Sequence, residues 1–226
     1  HAAYLALALM VVFRLPNLAE RRTAPIFEGL RAVLADRPVA LLLVVSYLLS
    51  IGAVIIGIYL GVRIEEIGGT ARQVGLAFSV ASASELPVIA LGGWLLARLG
   101  SHRLIAVAAV VFAIRFLAFS TIATPEWLLP IQVLHGLSYA AFTLASITLI
   151  HQLVRRQYAA TAQALLTAVS LGFGSITGSF VGGILLDVIG TEGLFLVAAA
   201  LMVIALLVLV AGDRLVGLTS RARDAT

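Results

Sequence analysis

The chain has 226 residues, 62% of them hydrophobic and only 12% charged, with a formal net charge of +4. A soluble domain is about half apolar and about a quarter charged, so this excess has to face lipid rather than fill a core. There is no cysteine and no lysine, which excludes disulfides, thiolate metal sites and a nucleotide-binding P-loop, and with it nucleotide-driven pumping by this chain.

The apolar runs are continuous rather than alternating, so the spans are helices and not barrel strands. Residues 1–13 (HAAYLALALMVVF) are too short to cross a bilayer, and their charge follows the apolar run at Arg14. They read as the end of a truncated spanning helix, and the chain as the C-terminal part of a longer protein. Residues 14–38 carry five arginines. Thr23 and Pro25 suit a helix start, and Phe27, Leu30 and Leu34 recur at helical spacing. A short amphipathic helix near 24–36 on the membrane surface is predicted.

Six spans follow, at about 39–62, 72–97, 104–124, 127–150, 160–186 and 193–212, joined by short loops. A polar tail occupies 213–226. Arginines gather at alternate connections: residues 14–38, then Arg98 and Arg103, then Arg155 and Arg156, then Arg214, Arg221 and Arg223. The other connections carry Arg63 and Arg72 beside Glu65 and Glu66, then Glu126, then Asp187 and Glu192. The positive-inside rule makes the first set, and the C-terminus, cytoplasmic. Scattered over loops, these arginines do not form a nucleic-acid surface. On the fifth span Gly174, Gly178 and Gly182 recur every fourth residue, a spacing that lets two helices approach closely.

Three ionisable residues lie inside the spans: Glu85, Arg115 and His135. A charge at membrane depth costs roughly 2.5–3.5 kcal/mol at a helix centre, so each needs a polar partner or a water-filled cavity. Consecutive helices as neighbours would let Glu85 pair with Arg115. His135 alone has an ordinary pKa near neutrality. Such a group at the midplane could carry protons and bind a polar or anionic solute. The plainer readings are a Glu–Arg pair that only fixes packing and a hydrogen-bonded core histidine. Ser138, Tyr139, Phe142 and Ser146 share a face beyond His135 and, with Tyr47 and Ser50, could line a cavity. His102 and His151 sit at loop edges with no acid at metal-ligand spacing, so no metal or cofactor site is predicted, and no nucleophile–base pair points to an enzyme.

The stretch IRFLAFSTIATPEWLLPIQVLHGLSYAAF, with its mid-span Arg115, Pro-x-Trp and Gln-x-Leu-His, resembles the ninth and tenth spans of the lactose-permease-like branch of the major facilitator superfamily. It is most similar to the 3-phenylpropionate-transporter and nucleoside:proton-symporter relatives. SELPV around Glu85 resembles a Glu-x-Pro element of the former. Gly93, Arg98 and Gly100 in GWLLARLGSHR resemble the superfamily's gating loop motif, and GILLDVIG the end of its eleventh span. The resemblance implies a twelve-helix fold in two halves, of which this chain is the second, with the stub as span six. It implies a secondary transporter in the bacterial inner membrane, the proton as coupling ion, a small organic solute such as an aromatic carboxylate or a nucleoside, and a missing N-terminal half as partner. Alternatives are an uncoupled facilitator and a non-transporting six-helix subunit. Three departures from lactose permease argue against a galactoside and against its acid-plus-histidine coupling. Ser138 stands where an acid follows the histidine, the first span here is uncharged from Val39 to Gly61, and Ala97 replaces the loop aspartate. Glu85 is the remaining acid at depth.

Overall fold

A computed structural model of the protein describes residues 26–217. The predicted stub 1–13, residues 14–25 of the polar segment and the tail beyond Gly217 lie outside the described residues. The described chain is all helical, without strands. In order it forms α1 (Ile26–Ala35), α2 (Arg37–Glu66), α3 (Ala71–Ala90), α4 (Gly92–Leu99), α5 (Ser101–Thr121), α6 (Leu128–Val133), α7 (Ala141–Leu153), α8 (Ala159–Thr167) and α9 (Gly174–Val216). Two π-helical turns, Gly136–Ala140 and Ala168–Phe173, join α6 to α7 and α8 to α9, and short 3-10 turns precede α6 and α8.

Local chemistry explains the boundaries. Pro38 stands at the start of α2, where a missing N–H leaves no rung open. Thr70 and Gln73 close a reciprocal capping box at the start of α3, the Thr70 amide donating to Gln73 Oε1 at 2.8 Å. The predicted second span is interrupted. Pro87 removes one rung, the helix breaks at Leu91, and α4 resumes at Gly92. A helix stands at this place as α1; Leu34 of the expected stripe is exposed, while Val33 is buried and Gly29 abuts Thr161 and Tyr158 near α8.

Among the described residues five helical segments are long and apolar enough to cross a membrane, and the last runs 61 residues, Arg156–Val216. At 1.5 Å per residue that is about 90 Å, some three times the hydrocarbon thickness, so it cannot be one span. It reverses at Gly190, whose φ of 67° and ψ of −179° lie where residues with a Cβ are strained. The neighbours of α9 show the reversal. Gly174, Gly178 and Gly182 meet Ser50, Val54 and Tyr59, rising in register with α2. Beyond the kink, Met202 meets Gly52 and Gly212 meets Leu41, in descending register. The described residues therefore make six passes. The glycine stripe brings the fifth close enough to α2 for Tyr59 to donate to Ser179 O at 2.6 Å and Tyr47 to bond the Thr177 hydroxyl at 2.7 Å.

The core lies among α2, α5 and the second half of α9, where Phe112, Phe116, Phe119 and Phe195 pack ring on ring. The second span is peripheral: 11% of its most apolar stretch is buried, against 61% for α2. The fourth span (α6, π turn, α7) lies between the second and the third, packing against α3 on one flank and α5 on the other.

Each end of the bundle has its own polar closure. At one end His102 Nε2 faces Asp213 at 3.7 Å and Ser101 donates to Gln152 Oε1 at 3.2 Å. At the other, Arg63, read from sequence as a loop charge, is drawn inside. Its guanidinium donates to the carbonyls of Phe119 (3.2 Å), Ser120 (3.3 Å) and Ile122 (2.8 Å), the unpaired end of α5, and meets Glu192 Oε1 at 2.9 Å. Thr191, next to the kink, donates to Glu66. One side chain thus ties α2, α5 and the Gly190 turn together.

Arg63→Ala is expected to lower stability in detergent micelles by about 2–3 kcal/mol, because three helix-end carbonyls lose charged donors. Glu192 is largely exposed, so Glu192→Gln is expected to change it by less than about 1 kcal/mol. Thermal unfolding of the two variants side by side checks this ordering; equal losses would place the stabilisation in the ion pair instead.

Candidate functional site: two buried charges held by the fourth span

The fourth span supplies most of the site. It carries Gln132 on α6, His135 just after it, and Ser138 and Tyr139 in the π turn. A π turn widens the helix by one residue and frees backbone groups, and such turns concentrate at functional positions. Here the freed Gly136 amide donates to Ser84 Oγ at 2.8 Å. The contact is backbone on backbone: a Cβ on Gly136 would lie 1.9 Å from Ser84 O. Only glycine lets α3 and the π turn come this close, and the neighbour of Ser84 is Glu85.

That approach decides the partner of Glu85. Its Oε1 lies 3.2 Å from His135 Nε2, and both side chains are largely but not fully covered. The Tyr139 ring stacks on the His135 imidazole, centroids 5.4 Å apart. The expected Glu85–Arg115 pair does not form. The second and third spans follow each other in sequence, but the fourth lies between them, so the two charges reach it from opposite flanks.

Arg115 is fully buried. Nη2 donates to Gln132 Oε1 at 2.6 Å and Nη1 to Ser138 Oγ at 2.8 Å, while Ser138 passes a hydrogen bond on to His135 O at 2.9 Å. Phe112 and Phe119 stand on either side of the guanidinium, their centroids 6.0 and 5.9 Å away. The arginine therefore acts through neutral side chains that it holds in place. Gln132 was legible in the Gln-x-Leu-His run, one turn before His135, but nothing there gave it a role. Ser84 and Arg63 carried no sequence signal beyond adjacency to acids.

A chamber of about 360 Å³ opens beside this network. That is within the size range of small-molecule sites, about 300–1,000 Å³. Its walls include Ser50, Phe78, Ser82, Gln132, His135 and Tyr139. Among the described residues that line it there is no arginine, and Arg115 stands behind Gln132. The loop-motif residues lie elsewhere. Gly93 and Arg98 are on α4, where Arg98 stacks over Trp94 at 5.5 Å, and Gly100 joins α4 to α5.

Residues 4–197 match the MFS_1 like family. The chain belongs to that family. It is 34% identical over 194 residues to the maltose permease of Geobacillus stearothermophilus, covering 84% of this chain and 49% of the permease. It is 20% identical over 202 residues to the uncharacterized transporter YwbF of Bacillus subtilis, covering 89% and 50% respectively. Among solved structures, the nucleoside transporter NupG superimposes with a TM-score of 0.76 at 19% identity, covering 93% of this chain and 59% of that one. The chain spans about half the length of the curated relatives it matches. It is a multi-pass, all-helical membrane protein of a transporter family, with the architecture of one half of a major facilitator fold.

Gly136→Ala is expected to force α3 away from the π turn and to destabilise the protein by about 3 kcal/mol, the upper range for overpacking, because a backbone atom cannot rotate aside. Ser84→Ala removes one hydrogen bond and is expected to lose about 1 kcal/mol. Thermal unfolding of the two variants in the same detergent tests the order; a milder effect for Gly136→Ala would mean the helices are not locked there.

Proposed function

We propose that the protein is a proton-coupled secondary transporter that moves a small uncharged, hydroxylated organic solute across the bacterial inner membrane by alternating access. The observation that carries the proposal is the Glu85–His135 pair at 3.2 Å, whose imidazole lines the chamber. A carboxylate and an imidazole in contact share one proton readily, and a second proton breaks their attraction. Glu85 and His135 are the proton site, with the Tyr139 ring stacked on the imidazole. Arg115 is a positioning residue that sets Gln132 and Ser138 at the chamber wall.

Of the two solute classes that the sequence suggests, a nucleoside fits the chamber better than an aromatic carboxylate. Hydroxyl and amide groups of Ser50, Ser82, Gln132 and Tyr139 offer neutral hydrogen bonds, Phe78 and Tyr139 offer rings, and no free cation awaits a carboxylate among the described lining residues. A maltose permease and a nucleoside transporter, to which this chain is similar in sequence and in fold respectively, are named for uncharged hydroxylated solutes. The thinly covered second span is the face where an N-terminal six-helix half would pack. The arginine asymmetry puts the C-terminus in the cytoplasm. Gly93, Arg98 and Gly100 then belong to a cytoplasmic loop that gates the inward opening.

The test is uptake by the whole transporter in liposomes under an imposed proton gradient, with uridine, maltose and benzoate as probes. Accumulation of uridine or maltose is expected, with Glu85→Gln losing accumulation but keeping equilibrium exchange. Accumulation by Glu85→Gln at the wild-type level would leave an uncoupled facilitator, and selective uptake of benzoate would overturn the uncharged class. Arg115→Lys keeps the charge but loses the two-pronged geometry, and is expected to raise KM about tenfold at unchanged membrane level. An unchanged KM would show that Arg115 only holds helices together.

A further inference from the structure

A second cavity of about 160 Å³ lies next to the chamber. The two share Ser50, Tyr139, Ser170 and Leu171. On the fourth span the chamber uses residues 132–139 and the second cavity 139–147; on the fifth the second cavity starts at Gln163 and the chamber at Ser170. The second cavity therefore lies in line with the chamber, toward the end where Arg155 and Arg156 stand, with Tyr139 between the two.

Its chemistry is unusual for a gap between spanning helices. Several hydroxyls on the spans are satisfied by their own helix: Ser79 donates to Gly75 O, Thr121 to Leu117 O and Thr148 to Leu144 O. Ser146 does not. It is 3% exposed, its Oγ has no protein partner, and it borders the cavity. Gln163 Oε1, on the opposite wall, is also buried without a partner. A dry void or a lipid tail would leave both unsatisfied, which a buried polar group tolerates poorly. Thr143 and Thr167 add two more hydroxyls, Phe142 and Leu166 an apolar wall, and no charged residue lines the cavity among those described.

We propose that this second cavity is a solute-binding subsite for an uncharged, hydroxyl-rich ligand. Ser146 and Gln163 bond its hydroxyls while Phe142 lies against its apolar face. The proposal rests on the transporter reading and extends it. The solute is held at two successive positions on the way to the Arg-rich side, and a two-ring solute occupies both at once, with Tyr139 at the junction.

The chain contains no cysteine, so a single introduced thiol in it is the reporter. The experiment compares Ser82→Cys in the chamber with Ser146→Cys in the second cavity, each in the whole transporter in membrane vesicles, using a small water-soluble methanethiosulfonate as label and uridine or maltose as protectant. Both thiols are expected to react, and a transported probe at about ten times its Kd is expected to slow both roughly tenfold by simple occupancy. Protection of Ser82→Cys alone would mean that the second cavity holds only water, overturning the subsite and leaving the chamber reading intact. Protection at neither position by either probe would overturn both. An unreactive Ser146→Cys in folded protein, matched by an unreactive Gln163→Cys, would show a closed cavity and also overturn the subsite.

Discussion

A guanidinium without access to water fixes the centre of this bundle. Arg115 lies inside the protein at mid-span, where an uncompensated charge is prohibitively unfavourable. Its two hydrogen bonds to Gln132 and Ser138 therefore determine where the fourth span sits relative to the third. Replacing either acceptor by an apolar group would leave a charged donor buried, which is worse than never having had the pair. The remaining geometry follows from that placement. With the fourth span seated on the third, its opposite flank is free for the second, and Ser84 and Gly136 bring backbones into contact there. The carboxylate of Glu85 arrives beside His135 as a consequence.

The two π turns belong to the same logic. Each interrupts a spanning helix at the depth of the chamber, and each places residues on the shared wall between the two cavities, Tyr139 from one and Ser170 and Leu171 from the other. An uninterrupted α-helix would turn these side chains to different faces. Rigid packing is concentrated elsewhere, in the phenylalanine cluster and in the polar closures at the two ends.

Much of the fold was legible in the sequence because the bilayer imposes its own ruler. Run lengths and the alternation of arginines located the spans, and even the Gly190 reversal fell in the acidic connection between Asp187 and Glu192. Glu85, Arg115 and His135 stood out because charge at depth is rare. Their pairing was not legible. Sequence order makes consecutive spans the expected partners, whereas a bond between one backbone amide and one serine hydroxyl, 52 residues apart, holds the fourth span against the second. Arg63 was hidden for a related reason. At the end of an apolar run and beside two glutamates it looks like a loop charge, and only the third span's unpaired carbonyls, far away in sequence, draw it inward.

Proximity tests most directly whether the fourth span separates Glu85 from Arg115 and takes one on each flank. In this cysteine-free background, Glu85→Cys combined with His135→Cys should be bridged readily by a short bifunctional thiol reagent. Glu85→Cys combined with Arg115→Cys should not. Bridging of the 85–115 pair with none between 85 and 135 would contradict the account.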